Sequence, residues 1–145
     1  VTELPESISI GHGLSIDKTL ITKLPNNITN LGYLAMNQTK VTELPSNLKT
    51  IFGDLAAGDA SLIKLPDDLY IGGELYLSRT PIQRLPDNLT VDEDIKVNWT
   101  QLSELPKNLV VGKNLELQDT PLAKKYTREQ LKQLLPGVKG RIGNV

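Results

Sequence analysis

Residues 71–86 read IGGELYLSRTPIQRLP: two glycines, an alternating apolar run, a threonine and a closing Leu-Pro pair. A local hairpin and one turn of a repeat would both produce such a segment, and the rest of the chain decides between them. Leu-Pro pairs begin at Leu4, Leu24, Leu44, Leu65, Leu85 and Leu105, with spacings of 20, 20, 21, 20 and 20 residues. Self-similarity at a fixed period of this length marks a solenoid. The segment is one coil of a stack.

Other columns keep the same register. Three residues after each proline stands Ile8, Ile28, Leu48, Leu69, Leu89 or Leu109. A period-two pair follows: Leu14/Ile16, Leu34/Met36, Leu55/Ala57, Leu75/Leu77, Ile95/Val97 and Leu115/Leu117. Next come a threonine column, Thr19, Thr39, Thr80, Thr100 and Thr120, broken only by Ala60, and an aliphatic column from Ile21 to Leu122. The unit is LPxxLxVGGxLxLxxTxIxx.

Each column has a physical reason. Period-two pairs put both apolar side chains on one face of a short strand. Stacked coils then pair those strands in parallel, about 4.8 Å apart, so six coils run about 25 Å along the axis. The Gly72-Gly73 pair suits a tight, positive-φ bend before the strand. Proline fixes φ where the chain turns and has no N–H to satisfy. A threonine in every coil is expected to bond the backbone of the next one, forming an internal ladder for buried amides. One coil cannot bury its own face, so stability comes from neighbours. The expected fold is mainly β: a solenoid of about six coils of 20–21 residues with parallel strands and a short C-terminal helix cap.

At this point the residues resemble a family. The order LxLxxTxIxxLP looks like the leucine-rich repeat LxLxxNxLxxLP, with threonine in the usual asparagine column. The short unit with Leu-Pro closure resembles the repeats of leucine-rich effectors that pathogenic bacteria inject into host cells. The VGG variant is similar to leucine-rich proteins of bacteria and their phages. The resemblance covers residues 1–122, is specific for fold and is unspecific for function. The chain departs from the effectors in its threonine column and in having one Leu-Pro per coil. It also lacks the catalytic cysteine that ubiquitin-ligase effectors carry on a separate domain.

Composition removes several functions. Lys and Arg total 16 against 17 acidic residues, which argues against nucleic acid or a polybasic membrane module as the target. No apolar run is long enough for a membrane span, and no signal-peptide pattern opens the chain. A cytoplasmic or virion-associated location is therefore favoured. Without cysteine there is no disulfide, thiolate metal site or cysteine nucleophile, and the single histidine, His12, has no histidine partner. No catalytic residue, metal site or cofactor is expected. The carboxylates Asp92, Glu93 and Asp94 lack calcium-loop spacing and read as a solvated turn. Sequons at Asn27, Asn37, Asn88 and Asn98 are by-products of the repeat, because Asn and Thr recur in fixed columns.

The ends break the period. Residues 1–122 form the solenoid and 123–145 a cap within the same domain. Thr127 and Gln130 make a capping box, Leu131, Leu134 and Leu135 share a helix face, and Pro136-Gly137 stops the helix. Val138, Ile142 and Val145 suggest a last extended piece over the final coil. Val1 begins in mid-repeat, which points to a fragment or processed product, or to an N-terminal edge left open for self-association. The coil around residues 50–61 carries an extra residue, with Ala57 and Ala60 in core columns. That reads as ordinary drift, or as a place where a partner's backbone approaches.

Function should lie on the outward positions of the strand face, the extended surface that solenoids offer. Those positions hold Tyr33, Tyr76 and the only tryptophan, Trp99, together with Arg79, Lys96 and an acidic run of Asp54, Glu74 and Asp94. Tyr76, Arg79, Lys96 and Trp99 stand on adjacent coils and have the composition of an interface hot spot. The alternative is a solvated face with an occasional aromatic covering the sheet. The expected function is non-catalytic binding of a partner protein, of unknown identity, as a host-directed inhibitor or effector. A structural or adhesive part of a virion or surface appendage is the second reading. An enzyme is the third, since no nucleophile–base pair can be assembled.

Overall fold

A computed structural model of the chain describes residues 13–143. Leu4, Pro5, Ile8, His12 and Val145, and with them the N-terminal edge, lie outside the described residues. The chain winds as a succession of two-residue strands separated by turns, and its strands alternate between two sheets. In order they are β1 (Leu14–Ser15), β2 (Asn30–Leu31), β3 (Leu34–Ala35), β4 (Thr50–Ile51), β5 (Leu55–Ala56), β6 (Tyr70–Ile71), β7 (Leu75–Tyr76), β8 (Thr90–Val91), β9 (Ile95–Lys96), β10 (Val110–Val111) and β11 (Leu115–Glu116). Helices α1 (Pro121–Lys125) and α2 (Arg128–Leu134) follow, and β12 (Ile142–Gly143) ends the described chain.

One sheet runs β1-β3-β5-β7-β9-β11-β12 and the other β2-β4-β6-β8-β10, every pairing parallel. The register is unbroken: Leu14, Leu34, Leu55, Leu75, Ile95, Leu115 and Ile142 stand in one column. Leu31, Ile51, Ile71, Val91 and Val111 stand in another. Both columns face a single aliphatic core, closed by Ile82, Leu102 and Leu122 and by the leucines of the Leu-Pro pairs. The repeat is thus a parallel β-solenoid. Among the described residues no helix is long and apolar enough to cross a membrane.

The glycines do a different job from the expected one. No glycine among the described residues has positive φ. A Cβ at Gly72 would instead run into the carbonyl of Phe52 one coil earlier, and one at Gly112 into that of Asp92. Glycine here allows close backbone approach between coils. Among the described residues, left-handed backbone is carried by nine others in two columns. One column, Lys18, Gln38, Asp59, Arg79, Trp99 and Asp119, precedes the threonines, with φ between 55° and 61°. The second, Asp68, Asn88 and Asn108, sits after the Leu-Pro pairs. Its absence from the two earlier coils has a cause: Ile28 to Leu31 and Leu48 to Ile51 span one residue more than Leu69 to Ile71. The extra residue, Lys49 in the longer coil, relaxes that corner, and the sheet register passes through undisturbed.

The threonines also differ from expectation. Their hydroxyls donate to the carbonyl three residues earlier in the same coil: Thr19 to Ile16, Thr39 to Met36, Thr80 to Leu77, Thr100 to Val97 and Thr120 to Leu117, at 2.7–2.9 Å. The left-handed residue just before each threonine turns the hydroxyl back within reach. Each threonine therefore closes its own turn. At Ala60 the backbone N–H alone performs the closure, reaching Ala57 O at 3.4 Å.

Bonds between coils come from other columns. Asp17 Oδ1 accepts from the N–H of Asn37, Asn37 Oδ1 from that of Gly58, and Asn98 Oδ1 from that of Gln118, at 2.7–2.8 Å. Asp54 accepts from the Glu74 N–H, Asp94 from Asn114, and Asn114 from Arg141. At the far corner, Asp67 and Asp87 accept from the N–H groups of Asp87 and Lys107.

The C-terminal segment closes the stack as a seventh, longer coil. Thr127 and Gln130 form the expected reciprocal capping box on α2. Leu131 and Leu135 are buried against the core. Val138 bridges Val111 of β10, and β12 pairs with β11, so both sheets are continued by the tail.

Candidate functional site

The outward side chains of the longer sheet are Ser15, Ala35, Ala56, Tyr76, Lys96 and Glu116, because each strand turns its first residue inward and its second outward. Small residues at β1, β3 and β5 leave a low floor beside taller groups from β7 onward. Tyr76 lies back across Gly58 of the preceding coil, where a Cβ would meet its ring. Tyr33 is seated on Gly13 in the same manner. A large aromatic side chain thus fits where the coil before it has glycine.

Tyr76, Arg79 and Trp99 are brought together. Arg79 Nε donates to Asp59 Oδ1 at 2.9 Å, an Arg79 terminal nitrogen reaches Tyr76 Oη at 3.5 Å, and the guanidinium lies 5.4 Å from the centroid of the Trp99 ring. Hydrogen bonding to Asp59 and its charge hold the guanidinium pKa above its ordinary value. Such a cation over an indole contributes about 0.5–1 kcal/mol at an exposed site. Arg79 and Trp99 are both exposed, Trp99 at 45%. Beside them Lys96 Nζ lies 3.4 Å from Glu74 Oε1, and the attraction of that carboxylate raises the Lys96 pKa. The cluster is a flat aromatic and cationic platform with both charges partly neutralised.

Three other candidate residues stand apart from it. Tyr33 lies at the β3 end of the face, exposed and resting on Gly13. Asp54 and Asp94 spend a carboxylate oxygen on the backbone N–H of the next coil, at 2.7 and 2.9 Å. Ser78 and Asn98, each just after the apolar pair of its strand, are buried. Asp59 was not singled out from the sequence, although it occupies the column of Arg79 one coil earlier and an offset of 20 places the two in contact. The second sheet was also missed as a surface; it exposes Phe52 at 66% and presents Tyr70, whose hydroxyl donates to Asp92.

No protein-family model, curated protein or solved structure matches the chain. Fold and site therefore define a class, a parallel β-solenoid repeat protein with one aromatic–arginine platform on its longer sheet.

Proposed function

We propose that the chain is a non-catalytic binding module of the leucine-rich-repeat kind, holding a partner protein on its strand face with Tyr76, Arg79 and Trp99 at the centre. The carrying observation is the contact of Tyr76, Arg79 and Trp99 at exposed turns. Arg79 and Trp99 occupy left-handed positions, φ 61° and 57°, that cost an ordinary L-residue about 1–2 kcal/mol. Where the fold repeats this conformation at its other corner, the residues are Asp68, Asn88 and Asn108, types suited to it. A tryptophan and an arginine at exposed turns serve no packing need that asparagine would not serve with less strain. The left-handed turn is common to the whole column, Lys18, Gln38, Asp59 and Asp119 included; what sets these two coils apart is residue type, since Trp, Tyr and Arg are the usual anchors of protein interfaces.

The flanking Lys96–Glu74 pair adds charge complementarity, which governs register and on-rate more than affinity. The likeness of the repeat to bacterial and phage leucine-rich proteins supports a host-directed inhibitor or effector role. Tyr76→Ala combined with Trp99→Ala is expected to weaken the partner complex at least 100-fold by calorimetry, given about 2 kcal/mol per hot-spot residue. Circular dichroism should be unchanged, since neither ring enters the core. Unchanged affinity removes this site. Defined oligomers of the isolated chain by light scattering would favour the structural-assembly reading instead.

A further inference from the structure

Five ion pairs lie on the surface among the described residues, at Lys64, Arg79, Arg84, Lys96 and Lys113. The groove of about 820 Å³ along the Leu-Pro turns is lined by both signs, and two of its cations are paired: Arg84 with Asp87 at 2.9 Å and Lys64 with Glu43 at 3.5 Å. A second cavity, of about 410 Å³, is different. It lies at the cap end of the strand face, between α2 and β12, with Arg128, Lys132 and Arg141 on its walls. None of the three makes an ion pair or a side-chain hydrogen bond among the described residues. Glu116, the one carboxylate in the lining, accepts from Asn98 Nδ2 at 3.2 Å. Arg128 and Lys132 stand four apart on one helix, a like-charge spacing that is unfavourable by a few tenths of a kcal/mol. Glu129, beside them in the helix, pairs with neither.

The floor of this cavity is Gly143. At Gly72, Gly112, Gly137 and Gly140 a Cβ would meet the backbone of a neighbouring coil, but among the described residues a Cβ on Gly143 meets nothing within 4 Å. Packing against the described residues does not require glycine there, and the preceding coils place Lys96 and Glu116 in the same outward column. The backbone is held in place from beneath: Asn114 Oδ1 accepts from the Arg141 N–H at 2.8 Å, and Ile142 is buried. Three cations without an ion pair among the described residues thus surround a floor that carries no side chain.

We propose that this cavity is a docking site for an acidic peptide segment, whose carboxylates enter over Gly143 and are held by Arg128, Lys132 and Arg141. Arginine offers the planar fork that binds a carboxylate through two parallel hydrogen bonds, and lysine adds a point charge. The cavity opens on the face that carries Tyr76 and Trp99, so the inference rests on the strand-face reading and deepens it. A partner lying along that face would place an acidic stretch at the cap end.

The test uses hexaglutamate as probe and the intact, isotope-labelled chain. Saturable amide shifts at Glu116, Ile142 and Gly143 are expected, weakening with added salt. Arg141→Gln should weaken binding roughly tenfold, as for one lost hydrogen bond to a charged group. Arg128→Gln, Lys132→Gln and Arg141→Gln together should abolish it. Gly143→Val leaves every charge in place and suits a strand, yet should weaken binding at least tenfold by filling the floor. Tyr76→Ala with Trp99→Ala should leave hexaglutamate binding intact, so failure at the platform and failure here are separable. Shifts spread over all lysines, full binding by the Gly143→Val variant, or tighter binding of an oligothymidine than of hexaglutamate would each overturn the proposal.

Discussion

At the scale of single residues, this solenoid uses glycine and left-handed backbone for separate purposes. Gly72 and Gly112 are required because a neighbouring carbonyl occupies the space of a side chain, although their φ is ordinary. Positive φ falls on residues with side chains, and for Trp99 that assignment is the least favourable available. The consequence is measurable. Trp99→Asn removes about 1–2 kcal/mol of left-handed strain and forfeits about 0.5–1 kcal/mol of contact with Arg79. Urea unfolding is therefore expected to show unchanged stability or a gain of up to about 1 kcal/mol, while partner affinity falls. Loss of stability on this substitution would mean that the indole is there to pack, and the platform would lose its functional warrant.

At the scale of elements, what was readable in the sequence follows from how each feature is encoded. The aliphatic columns recur at a fixed offset, so the longer sheet, its inward residues and the core were legible in a single chain. Helix α2 was legible through Thr127 and Gln130, whose reciprocal bonds are local. The second sheet was not, because its pairs Asn30–Leu31 to Val110–Val111 are too short to alternate and three of their five outward residues, Asn30, Thr50 and Thr90, are polar. The ladders were misassigned for a related reason: any short polar column can face either its own turn or the next coil, and only the turn geometry decides. A gap in the true ladder gives a prediction. Asn37 and Asn98 each accept from the following coil, but between them Gly58 has no side chain and Ser78 is too short, its buried Oγ having no hydrogen-bond partner. Ser78→Asn is expected to add one rung and stabilise the protein by about 1 kcal/mol, the usual net value of a hydrogen bond, read as a higher urea midpoint at constant slope. On the second sheet, Asp92 accepts from the Tyr70 hydroxyl and raises the tyrosine pKa, through that bond first. A group whose folded pKa is raised contributes stability fully below its unfolded value and loses it as pH rises through the folded one. Unfolding measured on either side of pH ~10 should thus show an alkaline loss that Asp92→Ala diminishes.

At the scale of the whole molecule, each coil touches only its neighbours, so stability is a chain of nearest-neighbour terms. The central coils are bounded on both sides by others like themselves. The last repeat depends on the cap, which continues both sheets through Val138 and β12 and sets Leu131 and Leu135 over the core. Leu131 is fully buried, and its replacement by alanine should cost about 2–5 kcal/mol. In a globular core such a loss would lower protection throughout. In a one-dimensional stack it acts first at the end: amide exchange at Val111 and Leu115 should accelerate in Leu131→Ala, while Leu55, three coils away, keeps more of its protection. The same fraying would loosen β12 and hence the floor under Arg141, so hexaglutamate binding should weaken at denaturant concentrations where the Tyr76–Trp99 platform still holds its partner. Equal acceleration at Leu55 and Leu115 would show instead that the coils unfold as one unit, and that platform and cap are bound in a single cooperative transition.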